Sequence, residues 1–263
     1  MARTFEKDLA KLWEATSNKL INRALVVDQL EEIFRTHGVA KEGLIIDAAG
    51  GFGFPVIDLA IRGYQITYND GSRSMLETAM HNAELAKAPA YIFAFQQMGY
   101  NAVPWQEFSN SYGEGAFNAL ICRGNSLPYA VSWGKSKPDL SKAREQIKLT
   151  LDQFFRVLEK GGIIYVDKQP EEQDQALEEV GEVEIDGRKY HLTCSFDNDK
   201  VNRIRNWTLS TKDLETGEVK DYPSQGYLLL EDELVPLLQE VGFKDVTKHV
   251  LKGDIYEGFV GVK

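Results

Sequence analysis

Leu44-Ile45-Ile46-Asp47-Ala48-Ala49-Gly50-Gly51-Phe52-Gly53 is the stretch on which the fold turns. Three apolar residues in a row suit a short strand buried on both faces, and the small residues after it form a turn. Small residues at the carboxyl end of a strand let a ligand approach the backbone, and the helix that starts next presents free N–H groups. Phe54 to Ile61 reads as that helix, with Pro55 tolerated in its first turn. A tight turn with no ligand has the same composition, so the stretch alone leaves both readings open. A dinucleotide-binding turn needs a small residue three positions after its second Gly. Counted from Gly51 and Gly53 that position is Val56, a poor fit.

Downstream, Gln65 to Asn69 reads as a second strand, Ser72 to Leu85 as a helix and Tyr91 to Phe95 as a third strand. Ala116 to Cys122 is a fourth strand. Lys142 to Leu158 is a long amphipathic helix stopped by Lys160-Gly161-Gly162, and Ile163 to Asp167 is a fifth strand. Strands alternating with helices predict an α/β fold, a mostly parallel sheet with helices on both faces. Upstream, Leu9, Leu12, Trp13, Leu20, Leu25, Val26, Leu30, Ile33 and Phe34 recur at mostly helical spacing, and His37-Gly38 is the stop.

After Pro170 the pattern changes. Val183 to Phe196 and Val201 to Thr211 read as long strands joined at Asp197-Asn198-Asp199, and Gly217 to Leu230 adds one or two more. This predicts an inserted antiparallel meander. Glu231 to Val241 is a helix stopped by Gly242, and Lys244 to Leu251 with Tyr256 to Lys263 makes a C-terminal antiparallel hairpin. The expected organisation is a helical lid over residues 1–40, a Rossmann-like core over 41–170, an inserted region over 171–230, and a last helix and hairpin over 231–263.

Composition narrows the function. The net charge of -10 works against a phosphate backbone as partner. Cys122 and Cys194 lie in apolar strand-like segments and make no disulfide framework, which suits a reduced, cytoplasmic setting. No apolar run approaches the ~20 residues of a membrane span, and the N-terminal residues lack the apolar stretch of a signal peptide.

Asp70 ends the second strand, roughly twenty residues past the glycines, where an acid accepts hydrogen bonds from ribose hydroxyls. A helix cap is the alternative role, which Ser72 also fits. Together, Asp47 to Gly53, Asp70-Gly71-Ser72 and Met75-Leu76 resemble the first two motifs of class I S-adenosylmethionine (SAM)-dependent methyltransferases. The resemblance implies a Rossmann-like sheet with SAM as methyl donor and S-adenosylhomocysteine as product. Asp47, Ala49 and Gly51 would surround the methionine moiety, Asp70 and Gly71 the ribose, and Met75 the adenine. A core position on an amphipathic helix is the other reading of Met75. Gln97, Met98 and Cys122 complete the implied cofactor set, with Arg23 and Trp13 as counterparts in an N-terminal lid. Ala49 replaces the usual first Gly, as in several enzymes resembling glycine N-methyltransferases.

Cys122-Arg123-Gly124-Asn125-Ser126 resembles the Cys-x-Gly-Asn-Ser segment of glycine and sarcosine N-methyltransferases. That likeness makes Asn125 the best candidate for a substrate contact, with an Asx-turn as its structural alternative. The glycine enzymes grip the substrate carboxylate with an Arg shortly after the fifth strand; here Gln169 stands at that position. Lys168 or Arg123 could substitute, although neither offers the same planar fork from the same place. Tyr129, Trp207 and Tyr227 are aromatic candidates for the pocket wall, able to hold a cationic amine.

Asn125-Ser126-Leu127-Pro128-Tyr129 also has a superficial likeness to the Asn-Pro-Pro-Tyr motif of adenine-methylating enzymes, with one residue too many and no basic run beside it. The four histidines are dispersed, and neither a P-loop nor a nucleophile elbow occurs. The expected function is direct transfer of a methyl group from SAM to a small-molecule acceptor, an amine or amino-acid nitrogen. Oxygen, sulfur, carbon or nucleic-acid acceptors are the alternatives, and a non-catalytic binding protein is the third class. No metal is expected, and a homo-oligomer stays open.

Overall fold

A computed structural model describes residues 2–94, 102–131, 139–171 and 177–263. Helices α1 (Ala2–Leu20) and α2 (Arg23–Thr36) precede strand β1 (Leu44–Asp47), and α3 (Val56–Ile61) leads to β2 (Gln65–Tyr68). Helix α4 (Arg73–Leu85) and a short helix, α5 (Phe108–Tyr112), precede β3 (Phe117–Cys122); α6 (Ala143–Val157) then leads into β4 (Leu158–Lys168). Strands β5 (Leu177–Ile185), β6 (Arg188–Asp199), β7 (Ile204–Asp213) and β8 (Val219–Tyr227) follow. Helix α7 (Glu231–Val241), β9 (Lys244–His249) and β10 (Glu257–Val262) complete the order.

The larger sheet runs β2-β1-β3-β4-β10-β9. Its first four strands are parallel, and β10 and β9 return antiparallel beside β4. Ile45, Ile46, Ala119, Leu120, Ile121 and Ile163 to Val166 are buried on both faces, as parallel strands sandwiched by helices must be. One face packs on α2, α3 and α4 through Val26, Leu30, Leu59 and Ala79. The other packs on α6 and α7 through Ile147, Leu151, Phe154, Leu234 and Leu238. No helix among the described residues is long and apolar enough to cross a membrane.

The smaller sheet, β5-β6-β7-β8, is antiparallel throughout and is covered by α1. Leu12 of α1 joins Val180, Val183, Leu192, Cys194, Leu209 and Tyr222 in a third core. Trp13 meets Trp207 with ring centroids 5.6 Å apart.

Two segments depart from expectation. Tyr91 to Phe95 does not start as a strand: Ala90–Phe93 is a 3-10 turn, and Phe95 lies outside the described residues. Ile92 and Phe93 are consecutive and both join the same core on one side of the sheet, which a strand would prevent by sending them to opposite faces. The turn lets Phe93 pack against Tyr68, centroids 5.2 Å apart. The expected single strand Val183 to Phe196 is instead a hairpin of β5 and β6. Asp186 and Gly187 both take left-handed φ (52° and 78°) in a two-residue turn that matches strand twist. The next turn falls after Asp199 rather than within Asp197–Asp199. Asp199 Oδ1 accepts from Val201 N and Asn202 N, and Asp197 and Asn198 stay in the ladder with β7.

Candidate functional site

Strand order reverses at β1: the chain moves outward to β2, then crosses back to β3 on the other side. In open α/β sheets the crevice at such a reversal, beyond the carboxyl ends of the strands, is where ligands bind. Here it is bordered by Asp47 and the glycine turn after β1, Asp70 after β2, and Arg123 to Asn125 after β3.

The turn after β1 is held by main-chain and side-chain bonds. Ala48 N donates to Ile121 O, Asn69 N to Asp47 O and Gly50 N to Asn69 O. Trp105 Nε1 and Asn69 Nδ2 both donate to Ala48 O, at 2.8 and 3.3 Å. Gly51 has φ 52°, and a Cβ there would meet no atom within 4 Å, so its backbone faces open space. Gly50 is required for a different reason: a Cβ would lie 2.4 Å from the Tyr68 ring.

Asp47 is fully buried. Its Oδ1 accepts from Ala49 N at 3.0 Å, and its Oδ2 has no partner among the described residues. An unpaired buried carboxylate oxygen is costly, and a cationic group in the crevice would satisfy it. Burial, aided by the nearby charges of Asp70 and Asp167, pushes its carboxyl up to about 8. Asp70 is tied on both oxygens, to Gly51 N and Ser72 N, and burial raises it to about 6. Ser72 caps α4 by accepting from Met75 N, so capping does not require Asp70. Gly71 is exposed. Met75 is half-buried and outside the core that its neighbour Leu76 packs against.

Beyond β3, the buried Asp167 fastens the loop. Its oxygens accept from Gly124 N at 3.0 Å and Asn125 N at 2.7 Å, and burial raises it to about 7. Asn125 has φ 53°, a left-handed backbone that Asn tolerates, and its Oδ1 accepts from Gln169 N at 3.3 Å. Arg123 is buried and committed: Nε and Nη2 bond to the two oxygens of Asp254 at 3.2 and 2.5 Å, and the Phe54 ring lies beneath it. Lys168 is fully buried and ion-paired to Glu257 at 2.7 Å and to Glu171 at 3.3 Å. Neither cation therefore reaches out for an anion.

A cleft between the two sheets is lined by Asn125 and Tyr129 from the loop after β3, and by Arg205, Trp207, Gly226 and Tyr227 from β7 and β8. Tyr227 Oη donates to both oxygens of Glu233, at 2.8 and 2.9 Å. Cys122 is buried inside β3. Arg23, at the start of α2, donates to Asp58 at 2.7 Å and lies over the Phe54 ring. Gln97 and Met98 fall outside the described residues. Sequence reasoning missed Asn69, Asp167, Asp254 and Arg205. Arg205 alone left a signal, as a cation in the apolar alternation Arg205, Trp207, Leu209.

No protein-family model matches the chain. The chain is 28% identical over 228 residues to a glycine/sarcosine N-methyltransferase of Aphanothece halophytica, across 86% of this chain and 73% of that protein. It is 30% identical to one of Parasynechococcus marenigrum, across 51% of this chain and 40% of the relative. The human glycine N-methyltransferase is 25% identical, across 51% of this chain and 42% of the relative. Among solved structures, DesVI of Streptomyces venezuelae superposes with a TM-score of 0.65 at 16% identity, over 92% of each chain. CalS10 of Micromonospora echinaspora, a SAM-bound amino pentose methyltransferase, gives 0.65 at 13% identity, over 91% of this chain and 90% of that one. The fold is the one these structures share.

Proposed function

We propose, from the premise that this chain is a class I SAM-dependent methyltransferase similar to the glycine/sarcosine N-methyltransferases, that it methylates the nitrogen of a small amine or amino acid. The unpartnered Oδ2 of Asp47 beside the open backbone of Gly51 carries the donor side of this reading. Asp47, Ala49 and Gly51 would hold the methionine end, with its cationic amine. Asp70 would hold the ribose through the lone pairs that Gly51 N and Ser72 N leave free, and Met75 would lie against the base.

SAM supplies a methyl group already activated on a sulfonium, so the protein has to align a nucleophile and exclude water. Alignment alone lowers such a barrier by about 7–11 kcal/mol. An uncharged amine attacks with its own lone pair, whereas a hydroxyl calls for a positioned base. No histidine lines the cleft among the described residues, and its aromatic lining, Tyr129, Trp207 and Tyr227, suits an amine. Asn125 stands where the cleft meets the crevice and would orient the acceptor. Residues 1–40 and the inserted sheet would act as the cover that keeps water out.

Isothermal titration with SAM, S-adenosylhomocysteine and NAD tests the donor. Micromolar binding of the first two and none of NAD is expected. A transfer screen across amines, amino acids, phenols, thiols and oligonucleotides then tests the acceptor, and turnover confined to oxygen, sulfur or nucleic-acid acceptors would overturn the amine assignment.

A further inference from the structure

Arg205 lies at the end of an apolar row. Strand alternation puts Leu209, Trp207 and Arg205 on one face of β7, the face that α1 and the third core cover. Across the ladder to β8 their partners are Tyr222, Ser224 and Gly226. The row therefore loses bulk step by step toward the crevice. It ends where a guanidinium faces a glycine that has nothing within 4 Å of its Cβ position.

Arg205 is more than nine-tenths buried, and no carboxylate pairs with it among the described residues. Its Nη2 donates to Gln169 Oε1 at 3.1 Å, and its Nε has no acceptor among the described residues. The rings of Phe196 and Trp207 lie 5.3 and 5.6 Å from the guanidinium carbon. Ring faces and one amide oxygen do not offset the cost of taking a full charge out of water. The other buried cations near the site, Arg123 and Lys168, each hold a carboxylate within 2.7 Å or less. Arg205 is the exception, and it borders the cleft that Asn125 also lines.

We infer that Arg205 is the specificity-determining residue for an anionic group on the methyl acceptor, a carboxylate held beside Gly226 with Gln169 positioning the guanidinium. The inference rests on the proposed amine methylation and adds to it where the recognition comes from: the inserted antiparallel sheet, not the segment following β4. Nη2 carries two N–H groups and gives one to Gln169, so its other N–H and the N–H running parallel to it on the adjacent nitrogen can still meet the two oxygens of a carboxylate. Gly226 is then the space that the carboxylate fills.

Two measurements on the full chain test this. The first follows Trp fluorescence while the protein, loaded with S-adenosylhomocysteine, is titrated with potassium acetate at constant ionic strength, with acetamide as the uncharged control. Saturable quenching by acetate alone is expected in the wild type. In Arg205→Met the response should weaken by about tenfold or more, and Arg205→Lys should recover part of it. The second compares methylation of glycine and sarcosine with that of glycinamide. Arg205→Met should raise KM for the carboxylates by about tenfold or more and leave the amide unaffected. An equal acetate response in wild type and Arg205→Met, or no saturable response in the wild type, overturns the inference. A wild-type preference for the amide does the same. Failure of SAM to bind would instead sink the underlying methyltransferase reading, which the loading step reports separately.

Discussion

Asp70 accepts the backbone N–H of Gly51 on one carboxylate oxygen and that of Ser72 on the other, each at 2.8 Å. One side chain thus joins the turn after β1 to the start of α4. Replacing it would remove the proposed acceptor for the ribose and free the glycine turn. Asp70→Ala should weaken SAM binding by about 10- to 100-fold, the worth of about one charge-assisted hydrogen bond. Asp70→Asn, which keeps one acceptor oxygen, should fall between. Equal affinity in wild type and Asp70→Ala by titration calorimetry would remove the ribose assignment.

Asp47 gives a pH signature. Its carboxyl rises from the ordinary value of 3.8 to about 8 in the folded chain, because burial penalises the charge. The folded state then holds a proton that the unfolded state has lost, so this group's contribution to stability falls as pH climbs from about 4 through about 8. Asp167 acts in the same direction up to about 7, and Asp70 up to about 6. Scanning the unliganded protein from pH 6 to 8.5, Tm should drop less in Asp47→Asn than in the wild type. SAM, bringing positive charge to the carboxylate, should stabilise the wild type more at pH 8 than at pH 6. Parallel pH curves for the two proteins would rule out Asp47 as the titrating group.

Arg123 and Asp254 form a buried pair, 6% and 0% exposed. Taking away one member strands the other charge, so Arg123→Met should destabilise by about 3–5 kcal/mol in urea unfolding. The double change Arg123→Met with Asp254→Leu should recover most of that loss. If the single variant unfolds at the wild-type midpoint, the pair is not structural.

Asn125 combines a left-handed backbone with a side chain at the cleft. Asn125→Ala should cost about 1 kcal/mol of stability from the backbone alone, while Asn125→Gly spares that cost. Both should lower acceptor turnover and leave SAM affinity unchanged. Full turnover in Asn125→Gly would show that the side chain takes no part in orienting the acceptor.

Much of the donor side is legible along the chain because its parts are local. Strand, small-residue turn and acid lie within Leu44 to Asp70, and periodicity and turn chemistry mark each. The Asp186-Gly187 hairpin was equally readable, since Asp-Gly between alternating strands is a strong turn signal. The apolar residues on both sides of it run together in the sequence as one strand. Ile92-Phe93 misled for the opposite reason: two bulky neighbours suit a strand by propensity, but both had to reach the same core.

The acceptor side is different. Arg123 meets Asp254 across 131 positions and Arg205 meets Gln169 across 36, and no periodicity encodes such partners. From sequence, Arg123 and Lys168 were the available cations and Arg205 a strand residue. Only burial and pairing separate the two that are spoken for from the one that is not.

The taper from Leu209–Tyr222 through Trp207–Ser224 to Arg205–Gly226 sits on a sheet inserted after β4, while the glycine turn and its acids sit on the other sheet. The proposed donor contacts and the proposed acceptor contacts therefore lie on different sheets. A lineage could widen, narrow or recharge the acceptor berth by exchanging residues on β7 and β8, and every intermediate would keep its methyl donor.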